Sequence, residues 1–142
     1  FSTLEAMALA FSGGAYADGI VCGLMDARRN QFYNALFEIK SGKITRLTED
    51  RTIEASILKT ELKNYGSKII LMGDGARLFL SLTDNDPDFI PAPETVLIQR
   101  ASGIAIKASF DKTLIPTSPE SLNAIYLRKS QAEREREEKI KI

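Results

Sequence analysis

The chain contains no histidine and no tryptophan, and Cys22 is the only cysteine among its 142 residues. Without histidine it can build neither a Ser-His-Asp triad nor a Cys-His pair, and no imidazole can serve as general base or zinc ligand. A single cysteine excludes an internal disulfide and a thiolate metal cage. These absences remove the commonest hydrolase and metal chemistries from the candidate functions.

The chain also has no long apolar run and no excess of charge. Its longest apolar stretches, such as 69–72, are far shorter than the roughly 20 residues that a membrane-spanning helix needs. It carries 19 basic and 19 acidic side chains, which argues against a nucleic-acid-binding or anionic-membrane surface. The start lacks a secretion-signal pattern and the cysteine is unpaired, so a cytoplasmic location is predicted.

Apolar periodicity in the first third predicts one helix and three antiparallel strands. Ser2 and Glu5 form a capping-box pattern at the start of a helix over about 3–11. Residues 20–25 are apolar on both sides, as in a strand covered on both faces. Residues 31–39 predict a half-buried strand with Asn34 and Glu38 facing outward, followed by a turn and a third strand over about 43–49.

The pattern in the rest of the chain, after residue 50, predicts alternating helices and strands. A helical period after residue 50 places one set of side chains on a common face, namely Ile53, Ile57, Leu58, Leu62 and Tyr65. Residues 68–72 are typical of a buried parallel strand, followed by a helix over about 76–82 and a short strand near 89–90. One helix is predicted over 94–110. This order predicts an α/β fold, a mixed sheet with helices on both faces, as in ribonuclease H-like proteins.

Two sequence features could form a binding site. Asp26, Arg28 and Arg29 follow a predicted central strand, where the arginines could hold a phosphate or carboxylate; the alternative is a polar turn with a local Asp–Arg pair. The segment 73–75, Gly-Asp-Gly, lies between a strand and a helix and could approach a phosphate or an adenosine. It lacks the lysine and the serine or threonine of a P-loop, so a simple turn is the alternative.

Three stretches together resemble the TsaB (YeaZ) family of glycoprotease-like proteins. They are Ser2-Thr3-Leu4-Glu5-Ala6-Met7-Ala8, then Asp26-Ala27-Arg28-Arg29 with Phe32, Tyr33 and Ala35, then Ile125-Tyr126-Leu127-Arg128-Lys129 with Ala132-Glu133-Arg134. The resemblance implies one ribonuclease H-like lobe of an actin-like (ASKHA) two-lobe fold. Family members match this chain only in their second half, so residues 1–125 are expected to form the C-terminal lobe. Within it, residues 1–13 form the lobe-linking helix, and residues 126–142 form a charged, helical tail.

The resemblance implies an accessory subunit of bacterial tRNA threonylcarbamoyladenosine synthesis. Its implied partners are the catalytic subunit TsaD and the ATPase TsaE, with the main TsaD interface in the half that does not match. No catalytic residue, metal ligand or cofactor is expected in this chain. The candidate interface or structural residues are Asp26, Arg28, Arg29, Tyr33, Tyr126 and Arg128, and the candidate nucleotide-facing turn is Gly73, Asp74 and Gly75.

Three alternatives to the accessory role remain open on the sequence. They are a glycoprotease-type hydrolase, a nucleotide-binding phosphotransferase and a tRNA-binding module. If a lobe is missing, the surface that it covers should be apolar and exposed. Self-association into a homodimer is therefore predicted, and Leu4, Met7 and Phe11 are the expected contact face.

Overall fold

The apolar stretches form a six-stranded sheet with helices on both of its faces. The computed structural model describes residues 2–12, 18–110, 118, 120, 126, 127 and 136. In chain order the elements are α1 (Thr3–Ser12), β1 (Gly19–Asp26), β2 (Gln31–Lys40), β3 (Lys43–Arg46), β4 (Arg51–Glu54), α2 (Ala55–Lys63), β5 (Ile69–Met72), α3 (Ala76–Leu82), β6 (Phe89–Pro91), α4 (Glu94–Leu97) and α5 (Ala101–Phe110). The predicted tail lies outside the described residues except for Tyr126, Leu127 and Arg136.

The sheet is mixed, as the sequence predicts. Its strand order is β3-β2-β1-β5-β6, and β4 pairs with the first half of β2. β1, β2 and β3 are antiparallel, whereas β5 runs parallel to β1 and β6 runs parallel to β5. Parallel neighbours need a crossover, which α3 supplies between β5 and β6. The carboxyl ends of β1, β5 and β6 therefore meet at one edge of the sheet.

One face of the sheet, here called the α1 face, is covered by two layers of helix. Gly23 and Ala35 lie opposite each other on this face, and a Cβ on Gly23 would lie 3.2 Å from the Leu4 side chain of α1. α5 packs on α1 so closely that a Cβ on Gly103 would lie 2.3 Å from the Ala6 carbonyl oxygen. This close approach explains a glycine inside a helix, where it is otherwise unfavourable.

The opposite face, here called the α2–α3 face, is covered by a single helical layer. The Phe79 ring of α3 lies edge-on to Phe32, with 5.6 Å between ring centroids, and 5.4 Å from Phe89. Leu58 and Leu62 of α2 are also buried there. The aromatic rings link β2, α3 and β6 into one core.

The burial of α1 corrects the predicted self-association face. Leu4, Met7 and Phe11 are only 3%, 2% and 2% exposed because they pack into the core. They are not on the surface, so the prediction that they form an exposed contact face is wrong. The capping box is half formed: the Glu5 N–H donates to Ser2 Oγ, but the Glu5 carboxylate contacts Arg46 and Lys107 instead.

Two other helix predictions are also corrected. Ile53 belongs to β4 rather than to α2, and Ile57 is 59% exposed, so the predicted buried face of α2 is narrower. The predicted helix over 94–110 is two helices, because Ile98 is extended. The backbone N–H of Gly73 donates to Leu97 O at 2.6 Å, which ties the end of α4 to the sheet before α5 starts.

Strand β2 differs from the prediction as well. It is buried on both faces, and Asn34, predicted to face outward, is completely buried. Helix α2, with buried Leu58 and Leu62, and the Arg51 side chain of β4 cover the side of β2 that the sequence pattern left open. The third strand is shorter than predicted and ends at Arg46.

Candidate functional site

The turn between β1 and β2 carries three of the predicted site residues. Asp26 Oδ1 accepts a hydrogen bond of 2.6 Å from the backbone N–H of Arg28. Arg28, Arg29 and Asn30 all have positive φ, between 55° and 62°, and are exposed. The carboxylate of Asp26 thus holds the turn through the backbone. Both arginine side chains point from a fixed backbone into solvent.

The glycine turn that follows β5 packs against the end of β1. Gly73 has φ of 101°, and a Cβ there would lie 1.9 Å from the Leu24 carbonyl oxygen. A Cβ on Gly75 would lie 2.9 Å from the Phe32 ring and 3.2 Å from the backbone nitrogen of Asp26. Both glycines are therefore required by close packing.

The backbone donors of this turn are used inside the protein. The Gly75 N–H donates to Leu24 O at 3.2 Å, and the Gly73 N–H donates to Leu97 O. Asp74 is exposed between them. A phosphate cradle needs N–H groups that point outward, so packing accounts for this turn, and its contact with a nucleotide stays a prediction.

Tyr33 and Leu127 are both next to Thr52 of β4. Tyr33 pairs with Thr52 in the β2–β4 register, and Thr52 Oγ1 donates to Leu127 O at 3.4 Å. Tyr126 is 87% exposed. The fold therefore gives Thr52 two neighbours, Tyr33 and Leu127, that are far apart in the chain. Arg128 lies outside the described residues.

These features occupy one end of the sheet. The Asn30 carbonyl accepts from the Ala55 N–H at 2.9 Å, which joins the β1–β2 turn to the end of β4. The glycine turn touches the same turn at Asp26. Nearby, Arg77 of α3 is paired with Glu94 of α4. This end combines exposed arginines with exposed carboxylates, an arrangement suited to a polar contact with another protein.

A polar network that the sequence analysis missed lies on the α2–α3 face and links the buried Asn34 to the half-buried Arg51 and Glu61. Asn34 Nδ2 donates to Gly23 O at 3.0 Å and to Cys22 Sγ at 3.3 Å. Asn34 Oδ1 accepts from Arg51 Nε at 3.1 Å, and Arg51 Nη2 donates to both carboxylate oxygens of Glu61 at 2.8 Å. The sequence signal was an asparagine inside a strand that is otherwise largely apolar.

This chain of contacts has a structural explanation. A buried amide is costly unless its donors and acceptor are satisfied, and Asn34 finds partners for all three. Burial raises the pKa of the Cys22 thiol well above its ordinary value, although Asn34 and Arg51 act in the opposite direction. Cys22 is therefore an inert, buried side chain, as the sequence predicts. The contacts connect the three strands β1, β2 and β4 to helix α2.

The described residues contain neither a metal-binding cluster nor a membrane-spanning helix. No group of three or more cysteine, aspartate or glutamate side chains lies close enough to hold a metal ion there. No helix in those ranges is long and apolar enough to cross a membrane.

Comparison with solved structures defines the class of fold. The chain matches the crystal structure of an uncharacterized Pseudomonas aeruginosa protein with similarity to peptidase YEAZ, with a TM-score of 0.60 and 13% sequence identity. The match covers 90% of this chain and 57% of that one. No protein-family model matches the chain. The protein thus has an α/β, mixed-sheet fold that corresponds to part of that structure.

A curated relative is similar to part of the chain. Over 84 residues, 59% of this chain, the sequence is 25% identical to the tRNA threonylcarbamoyladenosine biosynthesis protein TsaB of Bacillus subtilis (strain 168). The match covers 35% of that protein, so it spans about a third of the relative's length. The chain is a distant TsaB homologue, which confirms the resemblance seen in the sequence.

Proposed function

We propose that the chain is part of a non-catalytic accessory subunit, which supports TsaD as TsaD forms N6-threonylcarbamoyladenosine in tRNA. The observation that carries this proposal is the homology to TsaB over 59% of the chain. In this proposal residues 1–125 act as the C-terminal lobe, residues 1–13 link it to a further lobe, and TsaE joins the same assembly.

The chemistry of the described residues supports an indirect role. The chain has no histidine, its single thiol is buried, and Asp26 is hydrogen-bonded to a backbone N–H. A general base must reach the proton that it abstracts, and a nucleophile needs a base beside it. Asp26, Gly73 and Gly75 instead shape one end of the sheet.

The exposed arginines Arg28 and Arg29 are the proposed contact residues for TsaD on this chain. Their backbone is fixed by Asp26 and by the glycine turn, so binding a partner carboxylate would cost little ordering of the main chain. The resemblance implies that the main TsaD contact lies in the half of the family's proteins that this chain does not match. This turn would therefore add a secondary, polar contact.

Capture by immobilised TsaD tests the proposal, with B. subtilis TsaB as positive control. The chain is expected to bind TsaD more weakly than TsaB does. Replacing both Arg28 and Arg29 with alanine should reduce capture at least about tenfold, the effect of removing one or two charge-assisted contacts. Lys43→Ala is the matched control, because Lys43 is exposed at the opposite end of β2; it should leave capture unchanged.

The alternatives give different results with the chain alone. Micromolar binding of ATP with Mg²⁺ in a calorimetric titration would favour a phosphotransferase. Peptide cleavage would favour a hydrolase. Binding to tRNA that weakens steeply with salt would favour a nucleic-acid module. Any of these results, or no capture by TsaD, would overturn the accessory role.

A further inference from the structure

The β1–β2 turn keeps two arginines in a backbone conformation that favours glycine. Arg28, Arg29 and Asn30 have φ of 62°, 55° and 56°. This left-handed region is costly for residues with a Cβ, and asparagine tolerates it better than arginine does. Glycine at 28 and 29 would form the same turn without that cost. Strained positions of this kind cluster at functional sites, so the two side chains indicate a role that outweighs their cost in stability.

Neither guanidinium group is used inside the part of the chain that the structure describes. Three other arginines in those ranges pair with carboxylates, namely Arg46, Arg51 and Arg77. Arg28 and Arg29 are exposed and have no such pair there. The nearest acid in the chain, Asp26, accepts the backbone N–H of Arg28 instead. Both guanidinium groups are therefore available to a carboxylate from outside.

The turn directs its two arginines away from each other. The Gln31 N–H donates to Arg28 O at 3.1 Å, which closes one left-handed turn. Successive side chains on such a turn diverge by about 100–120°, the rotation per residue of a helix with 3.0–3.6 residues per turn. A single anion would have to be reached from two directions, whereas two separate anions would each meet one arginine. The geometry therefore favours a ligand with two separate anionic groups.

The surroundings of the turn favour carboxylates on a protein over a chain of phosphates. Glu54 is exposed and pairs with Gln31 in the β2–β4 register. The glycine turn that touches Asp26 carries the exposed Asp74. Three acidic residues therefore flank the two arginines, and a polyphosphate or nucleic-acid backbone would bring negative charge against them. A folded protein can place carboxylates at the arginines and other groups at the acids.

We propose that Arg28 and Arg29 each bind a separate carboxylate on an acidic protein surface, and that Asp26 is the positioning residue that holds their turn. TsaD is taken as the protein that carries these carboxylates, which rests on the proposed function. The left-handed turn then serves binding and lowers stability.

Glycine substitutions separate binding from stability. Arg28→Gly and Arg29→Gly should leave the urea midpoint unchanged or raise it, because they relieve the left-handed backbone. Each should weaken capture by TsaD at least about threefold, and the losses should multiply in the double variant, since independent contacts are additive in free energy. Ser41→Gly is the matched control, because Ser41 has φ of 51° and follows the opposite end of β2. It should behave alike in urea and leave capture unchanged.

Substitutions of Asp26 test its positioning role. Asp26→Asn keeps an oxygen that can accept the Arg28 N–H, so capture should be at least as strong as for the parent. Asp26→Ala removes the acceptor and should weaken capture about threefold, although the loss of a negative charge beside the arginines would by itself strengthen it. Equal capture of Asp26→Ala and the parent would exclude the positioning role.

A titration of the full 142-residue chain with small probes does not need TsaD. In heteronuclear NMR, the Nε–H signals of Arg28 and Arg29 should each shift and saturate with poly-L-glutamate. The Arg29 signal should respond equally in Arg28→Gly, because its carboxylate is separate. Tripolyphosphate should bind more weakly. Tighter binding of tripolyphosphate or of tRNA would overturn the proposal and assign the turn to a phosphate ligand.

The combined results separate the turn from the accessory role. If poly-L-glutamate shifts both arginine signals but TsaD does not capture the chain, the accessory role fails and carboxylate recognition stands. Three results overturn the two-carboxylate turn and leave the accessory role standing: capture insensitive to both glycine variants, a double variant no weaker than either single one, or a lower urea midpoint for both. Neither capture nor a shift would overturn both.

Discussion

The two faces of the sheet are separated from solvent by different helical layers. On the α2–α3 face, one layer of helix buries Leu58 and Leu62 on its inner side and carries charged residues on its outer side, beside exposed Ile57 and Leu78. Lys63, for example, pairs with Asp86 and Asp88 at 2.7 Å. On the α1 face, α1 is buried between the sheet and α5, and α5 then presents alanine and isoleucine to solvent.

The two faces thus differ in the number of helical layers and in the charge of the outer layer. A helical layer that ends in charged side chains needs no partner, because its polar side is solvated. A second layer of apolar helix adds buried area on its inner side but leaves apolar area on its outer side. Both faces leave some apolar area exposed, at Ile57 and Leu78 on the α2–α3 face and at Ile104 on the α1 face, but only the α1 face has a second helical layer to stabilise.

The largest effect is expected from Phe79→Ala on the α2–α3 face. Phe79 is fully buried and contacts the rings of Phe32 and Phe89. Its truncation should lower the free energy of unfolding by about 3–5 kcal/mol, measured by urea denaturation. Leu78→Ala on the same helix is the control; Leu78 is 38% exposed, and a loss below about 1 kcal/mol is expected. Equal losses would mean that Phe79 is not central to this core.

Gly103→Ala should have an intermediate effect on the α1 face. In an isolated helix this change would stabilise by about 1 kcal/mol. Here the new Cβ would lie 2.3 Å from the Ala6 carbonyl oxygen, and a backbone atom cannot move away cheaply. A net loss of about 1–3 kcal/mol is expected in the same denaturation experiment.

A neighbouring substitution provides the control for Gly103→Ala. Ser102 is exposed on the same helix, so Ser102→Ala should stabilise by about 0.5 kcal/mol or less. If Gly103→Ala also stabilises the protein, then α1 and α5 are not in close contact, and the two-layer description of the α1 face is wrong.

The elements that the sequence predicted well have local causes. The first turn of α1 follows Ser2, whose hydroxyl caps the helix, and β5 follows from a continuous apolar run between polar residues. β4 has no such signal, because residues 51–54 alternate weakly and become a strand only by pairing with β2. The break at Ile98 likewise accompanies a distant contact, because the Gly73 N–H, in the turn after β5, donates to Leu97 O.

The candidate site also has parts that follow from local sequence and parts that depend on tertiary contacts. The Asp26 turn and the glycine turn were predicted because strand ends carry their own turn residues, and parallel strands bring those ends together. The contact of Asn34 with Arg51 could not be predicted, because these residues meet only through the β2–β4 pairing. Sequence patterns report the local geometry of a residue, whereas the partner of a buried polar group depends on tertiary structure.

The smallest effect is expected from Glu5→Gln, which tests how the layers of the α1 face are joined. The Glu5 carboxylate contacts Lys107 of α5 at 2.9 Å and Arg46 of β3 at 3.3 Å. Burial acts to raise the pKa of Glu5, but hydrogen bonds and charge from Lys107 and Arg46 outweigh it and lower this pKa below its ordinary value of 4.5. A lowered folded-state pKa means that the stabilisation is complete above the unfolded-state value and is lost as the pH falls through the folded-state value.

The variant should therefore be less stable than the parent at pH 7 by no more than about 1 kcal/mol, because the pairs are partly exposed. The difference should disappear as the pH is lowered below about 4.5, the ordinary value for this carboxyl group. Urea denaturation at pH 7 and at about pH 3 measures both quantities. Glu38→Gln on an exposed position of β2 is the control and should show no such convergence. A difference for Glu5→Gln that persists at low pH would mean that Glu5 joins the layers by packing and not by charge.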